Sequence, residues 1–302
     1  MRVTQQSLSF QVTDGLQQAF RRLAETQEAV TTGKRINRLS DDPMGAVRVM
    51  GLKSFEAALA QFDKNVNTAL PVLEHTDSVL DNVTQLLVRA KELAIAMAND
   101  SNSATERLQT SKEIRELFNQ VLSLANTKVE NRHIFAGFAN GSPPFALTAG
   151  AVSYGGDSGV VSVSTSATGS VPINVPGDRV FQGAGVGGGD DIFDMLLDLE
   201  SALQNNDVNG PDGIRTQIGR LDIAIDQVLG FRAEFGSRVN HAQAAKDAVA
   251  VMKVQTTDQR SQIEDADAIK VYSDFARYQQ AFQAALHSAA QVIQPSLLDF
   301  LR

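Results

Sequence analysis

The chain has 302 residues, no cysteine, no tryptophan and a net charge of −8. The missing thiols exclude disulfides, thiol catalysis and cysteine-ligated metals, and the acidic balance argues against duplex nucleic acid, which needs a basic face to displace counterions. No apolar run reaches the roughly 18 residues that span a bilayer, and the opening MRVTQQSLSF lacks the apolar core of a cleaved signal peptide.

From Val12 to Val30 the apolar residues Leu16, Phe20, Leu23 and Val30 fall in helical steps, with Gln27 as a polar interruption. Gly33 is placed to stop this helix in a left-handed conformation. The connector TTGKRINRLSDDP follows, with Arg35, Asn37 and Asp41 inside it. Asp42 before Pro43 reads as the start of the next helix, an N-cap acceptor followed by a residue whose φ is already helical. Pro71 is expected to break or kink that helix. Beyond it, Leu73, Thr76, Leu80, Val83, Leu87, Ala90, Ala94 and Met97 alternate steps of three and four, a 3.5-residue period that demands a partner helix. Ser103 with Glu106 forms a capping box for a third helix that turns Ile114, Leu117, Val121 and Leu124 inward.

Between Asn140 and Gly189 the texture changes to Gly, Ser, Thr, Val and Pro. VVSVSTS alternates with period two, setting Val161, Val163 and Thr165 on one face, and GSVPINVPGDRVF reads as one or two further strands. So short a β region buries little alone and should lean on the helices. Helical pattern returns from Asp190 to about Leu203. It resumes near Pro211 with Ile214, Ile218, Leu221, Ile225 and Val228, is interrupted at Arg232, and continues with Phe235, Val239 and Ala242. Ser261 and Glu264 read as a second capping box. The last helix carries Ala268, Val271, Phe275, Tyr278, Phe282, Ala285, Ala289 and Val292 at heptad spacing and should end at Pro295.

Little in the chain carries catalytic chemistry. The four histidines, His75, His133, His241 and His287, share no ligand spacing on one helix face. Gly183, Gly185 and Gly188 match a dinucleotide fingerprint, but no βαβ context surrounds them. Asp190 and Asp191 occupy the helix start where a pyrophosphate would bind, so the segment reads as a flexible linker ending in an N-cap. No enzyme, cofactor or metal site is expected. The two terminal helices are the informative feature: each has an apolar stripe, and as a pair they bury too little to offset the entropy of ordering them. Such ends are expected to order against other subunits.

Several segments resemble the bacterial flagellin family. TGKRINRLSDDP is similar to its N-terminal loop, LLVRAKELAIAMAN to a helix of its rod, LANTKVENRHIFAGF to the entry into its variable domain, and QIEDAD to its C-terminal signature. SYGGDSG and NVPGDRVF, with the start MRVT and the tail PSLLDFL, resemble the junction proteins between flagellar hook and filament more than the filament subunits themselves.

The resemblance implies a mainly α fold: a terminal coiled coil from residues 1–33 and 268–302, an α-helical rod from 34–140 and 190–267, and a small β domain at 141–189. It implies a structural, non-enzymatic protein that self-assembles. The assembly interface would comprise Leu16, Phe20, Leu23 and Val30 with Val271, Phe275, Tyr278, Phe282, Ala285, Ala289 and Val292. Gly33, Arg35, Asn37, Asp41, Asp42 and Pro43 would form the loop joining coiled coil to rod. Implied partners are a ring of like subunits, a neighbouring hook-associated protein, flagellin, and an export chaperone of the flagellar type III system, with no nucleic acid and no membrane insertion. The implied location is extracellular, on the flagellum, reached without a cleaved signal peptide. The alternative is a flagellin that builds the filament itself.

Overall fold

In the computed structural model the backbone is described for residues 5–148 and 150–300, and side chains for 10–148 and 150–290. Seven helices and three small hairpins follow in the order α1 (Gln5–Thr32), α2 (Pro43–Met97), α3 (Ala104–Ala125), β1 (Lys128–Val129), β2 (Arg132–His133), β3 (Phe145–Thr148), β4 (Ala151–Tyr154), β5 (Ser162–Ser164), β6 (Ser170–Pro172), α4 (Gly177–Phe181), α5 (Ile192–Gln204), α6 (Ile214–Glu264) and α7 (Ala268–Phe300). Two compact units result, one from residues 1–59 with 251–302 and one from residues 60–250.

The second unit is built around the heptad line of α2. Leu73, Thr76, Leu80, Val83, Leu87, Ala90 and Ala94 are all buried. Facing them are Ile114, Leu117, Phe118 and Val121 of α3, and Leu221, Ala224, Val228, Phe235 and Ala242 of α6, in one continuous apolar cluster. Arg232, read as a break in the α6 pattern, instead reaches across to Asp81 of α2, with Nη1 2.8 Å from Oδ1. The capping box at α3 forms as expected: Ser103 Oγ accepts from Glu106 N, and Glu106 Oε2 accepts from Ser103 N.

Pro71 does not end the helix. α2 runs unbroken from Pro43 to Met97. The proline costs one backbone hydrogen bond, a penalty of about 3 kcal/mol. It lies on the exposed side, while Val66, Ala69, Leu70 and Leu73 around it are buried and hold the helix on both sides. Two other expected termini also dissolve: α7 continues past Pro295 to Phe300, and Ser261 sits inside α6, where its hydroxyl donates to Asp265 Oδ2.

The β segment consists of three two-stranded antiparallel hairpins that do not join into one sheet. Around β5, Thr165 is buried and Val161 and Val163 are half-buried while Ser162 and Ser164 are exposed, the face the alternation predicts. The second half of the expected strand GSVPINVPGDRVF is helical instead, forming α4. Phe181 of α4 stacks with Phe193 of α5 and meets Phe135 and Phe145 edge-on, with centroids 5.1–5.7 Å apart. These rings fasten the hairpins to the helices. His133, buried at the end of β2, has Nδ1 2.8 Å from Asn126 O, so Nδ1 carries the proton and Nε2 is left without a partner. Burial pushes its pKa below the ordinary value.

The glycine segment after α4 is a pair of tight turns and not a flexible linker. Gly183, Gly185 and Gly188 all have positive φ, a region closed to most side chains. A Cβ on Gly183 would sit 2.8 Å from Asp190 N. Asp191 caps α5, accepting from Phe193 N and Asp194 N, and burial raises its pKa despite those bonds. Arg220 grips Asp190 with two nitrogens, 2.6 and 2.8 Å away. The acidic pair is thus committed to the fold.

Candidate assembly surface

The first unit holds every assembly and connector residue singled out above. α1 and α7 lie side by side. Gly33 O accepts from Ala266 N at one end, and the Phe20 and Phe282 rings meet 5.8 Å apart farther along, so the two helices run antiparallel. The line of α1 that faces inward is Val12, Leu16, Ala19, Leu23, Thr26 and Val30, all half-buried. Its steps of four and three make an uninterrupted heptad. Phe20 stands beside that line, 57% exposed, and Gln27 is exposed too, so the interruption read there lies off the seam. Ala19 and Thr26, too small to attract notice in the sequence, complete it.

On α7, Val271, Phe275, Tyr278, Phe282 and Ala285 are half-buried and Ala289 is buried. The side chain of Val292 lies outside the described residues, as do the start MRVT and the tail side chains. Two helices can cover only one face of each other, so most of this seam stays half open.

The connector is a fastening. Gly33, with φ +68°, closes α1, and its amide bonds Ala29 O at 2.9 Å. Lys34 pairs with Asp265 in an isolated antiparallel bridge, while Arg35 N donates to Glu264 O at 2.7 Å and Arg35 Nη2 to Ile263 O at 2.8 Å. Asp41 Oδ2 accepts from the amides of Asn37 and Arg38, and Asn37 Nδ2 donates to Lys34 O. Asp42 Oδ1 accepts from Gly45 N at 2.9 Å, so Asp42 caps α2 with Pro43 as its first residue. Both carboxyls are held below the usual range, Asp41 by the Arg38 and Asn37 amides and Asp42 by the Gly45 amide.

At the centre of the fastening is Glu264, a residue read from the sequence as half of a capping box. Its side chain is 3% exposed and receives Lys34 at 2.8 Å, Lys53 at 2.7 Å and Arg260 at 2.9 Å. Burial alone would raise this carboxyl; the three cations outweigh it and hold the pKa at about 2. Arg260 also bonds Glu56 at 3.0 Å, tying α2 to α6. The cap of α7 is Asp267, whose Oδ1 accepts from Ile269 N and Lys270 N. One of the hub's cations, Lys34, stands directly after Gly33, but its partner lies 230 positions away.

Among the described residues no group of three or more His, Cys, Asp or Glu could hold a metal ion, and no helix is long and apolar enough to cross a membrane. What the geometry offers is a half-open helical pair fastened at one end by the connector. The family model for the bacterial flagellin N-terminal helical region matches residues 3–140, and that for the C-terminal helical region matches residues 218–301. The chain belongs to the bacterial flagellin family. Flagellar hook-associated protein 3 of Escherichia coli K12 is 27% identical over 275 residues, 85% of this chain and 86% of that relative. A flagellin of Treponema pallidum is 24% identical over 277 residues, 91% of each. The solved structure of a flagellar hook-associated protein-3 from Legionella pneumophila shares the fold, with a TM-score of 0.64 at 16% identity, over 71% of this chain and 98% of that one.

Proposed function

We propose that this flagellin-family chain is a structural subunit of the bacterial flagellum at the junction between hook and filament, where copies assemble into a ring through their terminal helices. The observation that carries the reading is the contrast between the two units. Residues 60–250 enclose a continuous core, whereas the seam of α1 and α7 is half-buried from Val12 to Val30 and from Val271 to Ala285. A seam half open in one molecule closes when neighbours supply the missing faces. The terminal pair 1–33 with 268–302 then acts as the assembly domain. Residues 34–140 with 190–267 act as the rod, and 141–189 as a small β domain carried on it. Leu16, Leu23 and Val30 with Val271, Phe275, Tyr278, Ala285, Ala289 and Val292 form the interface, and Phe20 meets Phe282 at its edge. The connector from Gly33 to Pro43 fixes where assembly domain gives way to rod.

The same reading places the protein outside the cell, exported by the flagellar type III route with a chaperone and without a cleaved signal peptide. Its partners there are like subunits, an adjacent hook-associated protein and flagellin. It performs no catalysis. The likeness to hook-associated protein 3 over most of both chains favours the junction. A filament-forming flagellin is the second reading, supported by the similar span of the Treponema likeness.

Deletion followed by electron microscopy tests the junction. Cells lacking the chain should carry hooks without filaments while flagellin collects in the medium. Normal filaments on such cells would refute it, and purified protein polymerising alone into long filaments would transfer the case to flagellin.

A further inference from the structure

An asparagine amide is chemically labile, and most so before glycine, where no Cβ keeps the next backbone nitrogen from reaching the side-chain carbonyl. Asn-Gly occurs twice in the chain, at Asn140–Gly141 and at Asn209–Gly210. The fold treats the two differently. At Asn209 both reacting groups are held. Gly210 N donates to Asp207 Oδ1 at 2.7 Å, and Asn209 Oδ1 accepts from Arg215 Nη1 at 2.6 Å. A Cβ on Gly210 would stand 2.1 Å from Asp207 Oδ2, so a carboxylate closes over this backbone. Its charge also opposes the loss of a proton from the amide beside it.

At Asn140 neither group is held. Asn140 and Gly141 lie in the turn between β2 and β3, the first half-buried and the second exposed. The main-chain carbonyl of Asn140 accepts from His133 N at 3.1 Å, which anchors the residue. Its side chain and the Gly141 amide have no hydrogen-bond partner among the described residues. Nothing stands within 4 Å of a Cβ placed on Gly141. Nucleophile and electrophile are adjacent and free to meet.

We propose that Asn140 is a site of self-modification, at which the chain converts its own side-chain amide to an acid. The Gly141 nitrogen gives up its proton to solvent base and attacks Asn140 Cγ. A new N–C bond closes a succinimide ring, the bond from Cγ to the side-chain nitrogen breaks, and ammonia leaves. Water then opens the ring. Addition at Cγ gives aspartate; addition at the main-chain carbonyl carbon gives isoaspartate, with the chain rerouted through the side chain. One water is consumed and one ammonia released, and no oxidant or reductant takes part.

The product matters because of where it sits. Asn140 lines a cleft with Thr68 and Val72 of α2 and with Glu130, Arg132 and His133 of the first hairpin, where His133 Nε2 has no partner. Conversion adds a negative charge to this cleft. The isoaspartate form also takes the carbonyl gripped by His133 N out of the main chain. The β segment thereby gains a mark that accumulates with the age of the molecule, whether or not the chain assembles with others.

The full chain is incubated in mildly alkaline buffer made with water labelled in heavy oxygen, and its peptides are followed by mass spectrometry. A second sample is kept unfolded in guanidinium chloride. In the folded chain Asn140 should turn to a mixture of aspartate and isoaspartate carrying one heavy oxygen, while Asn209 lags by about tenfold or more. In guanidinium the two should convert at similar rates. Gly141→Ala, where a methyl has room, should slow Asn140 by about tenfold, and Asp207→Ala, which frees the Gly210 amide, should speed Asn209. Asn140 remaining an amide in the folded chain while it converts in guanidinium would overturn the proposal. So would Asn209 keeping pace with Asn140 in the folded chain, or a lag of the same size persisting in guanidinium.

Discussion

The two units use similar apolar side chains in opposite ways. Residues 60–250 draw theirs into one cluster, with Phe118, Phe135, Phe181, Phe193 and Phe235 fully buried. Residues 1–59 and 251–302 leave Phe10, Phe20, Met44, Val47, Ile269 and Tyr272 exposed, and their order comes from a polar fastening around Glu264. Hydrophobic content alone therefore does not mark a core; the geometry that encloses it does. The first unit leaves its apolar side chains open, and the second encloses them.

The largest effect should come from opening the enclosed core. Phe193→Ala removes a ring in contact with Phe118, Phe145 and Phe181, and should lower the stability of the second unit by about 3–5 kcal/mol in a denaturant melt; a cost below about 1 kcal/mol would show that the ring cluster is not its centre.

Glu264→Gln should loosen the first unit by about 2 kcal/mol, since it strips three cations of their shared anion. The pH dependence follows from the carboxyl held at about 2 against an ordinary 4.5: its stabilisation is complete above about 4.5 and is lost as pH falls toward 2. Hydrogen exchange at Lys34–Ile36, compared between parent and variant across that range, reads the effect. Identical profiles would refute it.

A smaller effect belongs to His133. Burial lowers its pKa below the ordinary 6.5, so the unfolded chain gains a proton first as pH drops. The second unit should keep its stability above 6.5 and lose some below it, and His133→Gln should flatten that slope. An NMR titration showing His133 protonating above 6.5 would contradict this.

The smallest change in the isolated chain should come from Leu23→Ala. On a half-open seam it should cost the monomer less than a comparable core truncation, under about 2 kcal/mol, yet abolish incorporation into flagella. Unimpaired incorporation would separate the seam from assembly.

The heptad of α2, the Ser103 box, the Asp42–Pro43 start and the stop at Gly33 were all legible because each is a local rule. The misreadings have one cause. Pro71 and Pro295 obey a local preference that neighbouring contacts or continuing helix can override, and PGDRVF reads as strand by composition although a short helix brings Phe181 among the other rings. Within the candidate surface, Leu16, Leu23 and Val30 were found from apolarity. Ala19 and Thr26 were missed because a seam is defined by position as much as by grease. Glu264 was assigned a short-range role because nothing in linear order joins it to Lys34 or Lys53.

Glu264 also sets a schedule. Lys34 and Lys53 emerge early when the polypeptide leaves a ribosome, N-terminus first, while the carboxylate that gathers them arrives more than 200 residues later. The hairpins and their rings can close in the meantime, since their strand pairings are short-range. The fastening of the first unit is thus completed last, when Glu264 has come through, and a chain cut short before it leaves Lys34 and Lys53 without their shared carboxylate.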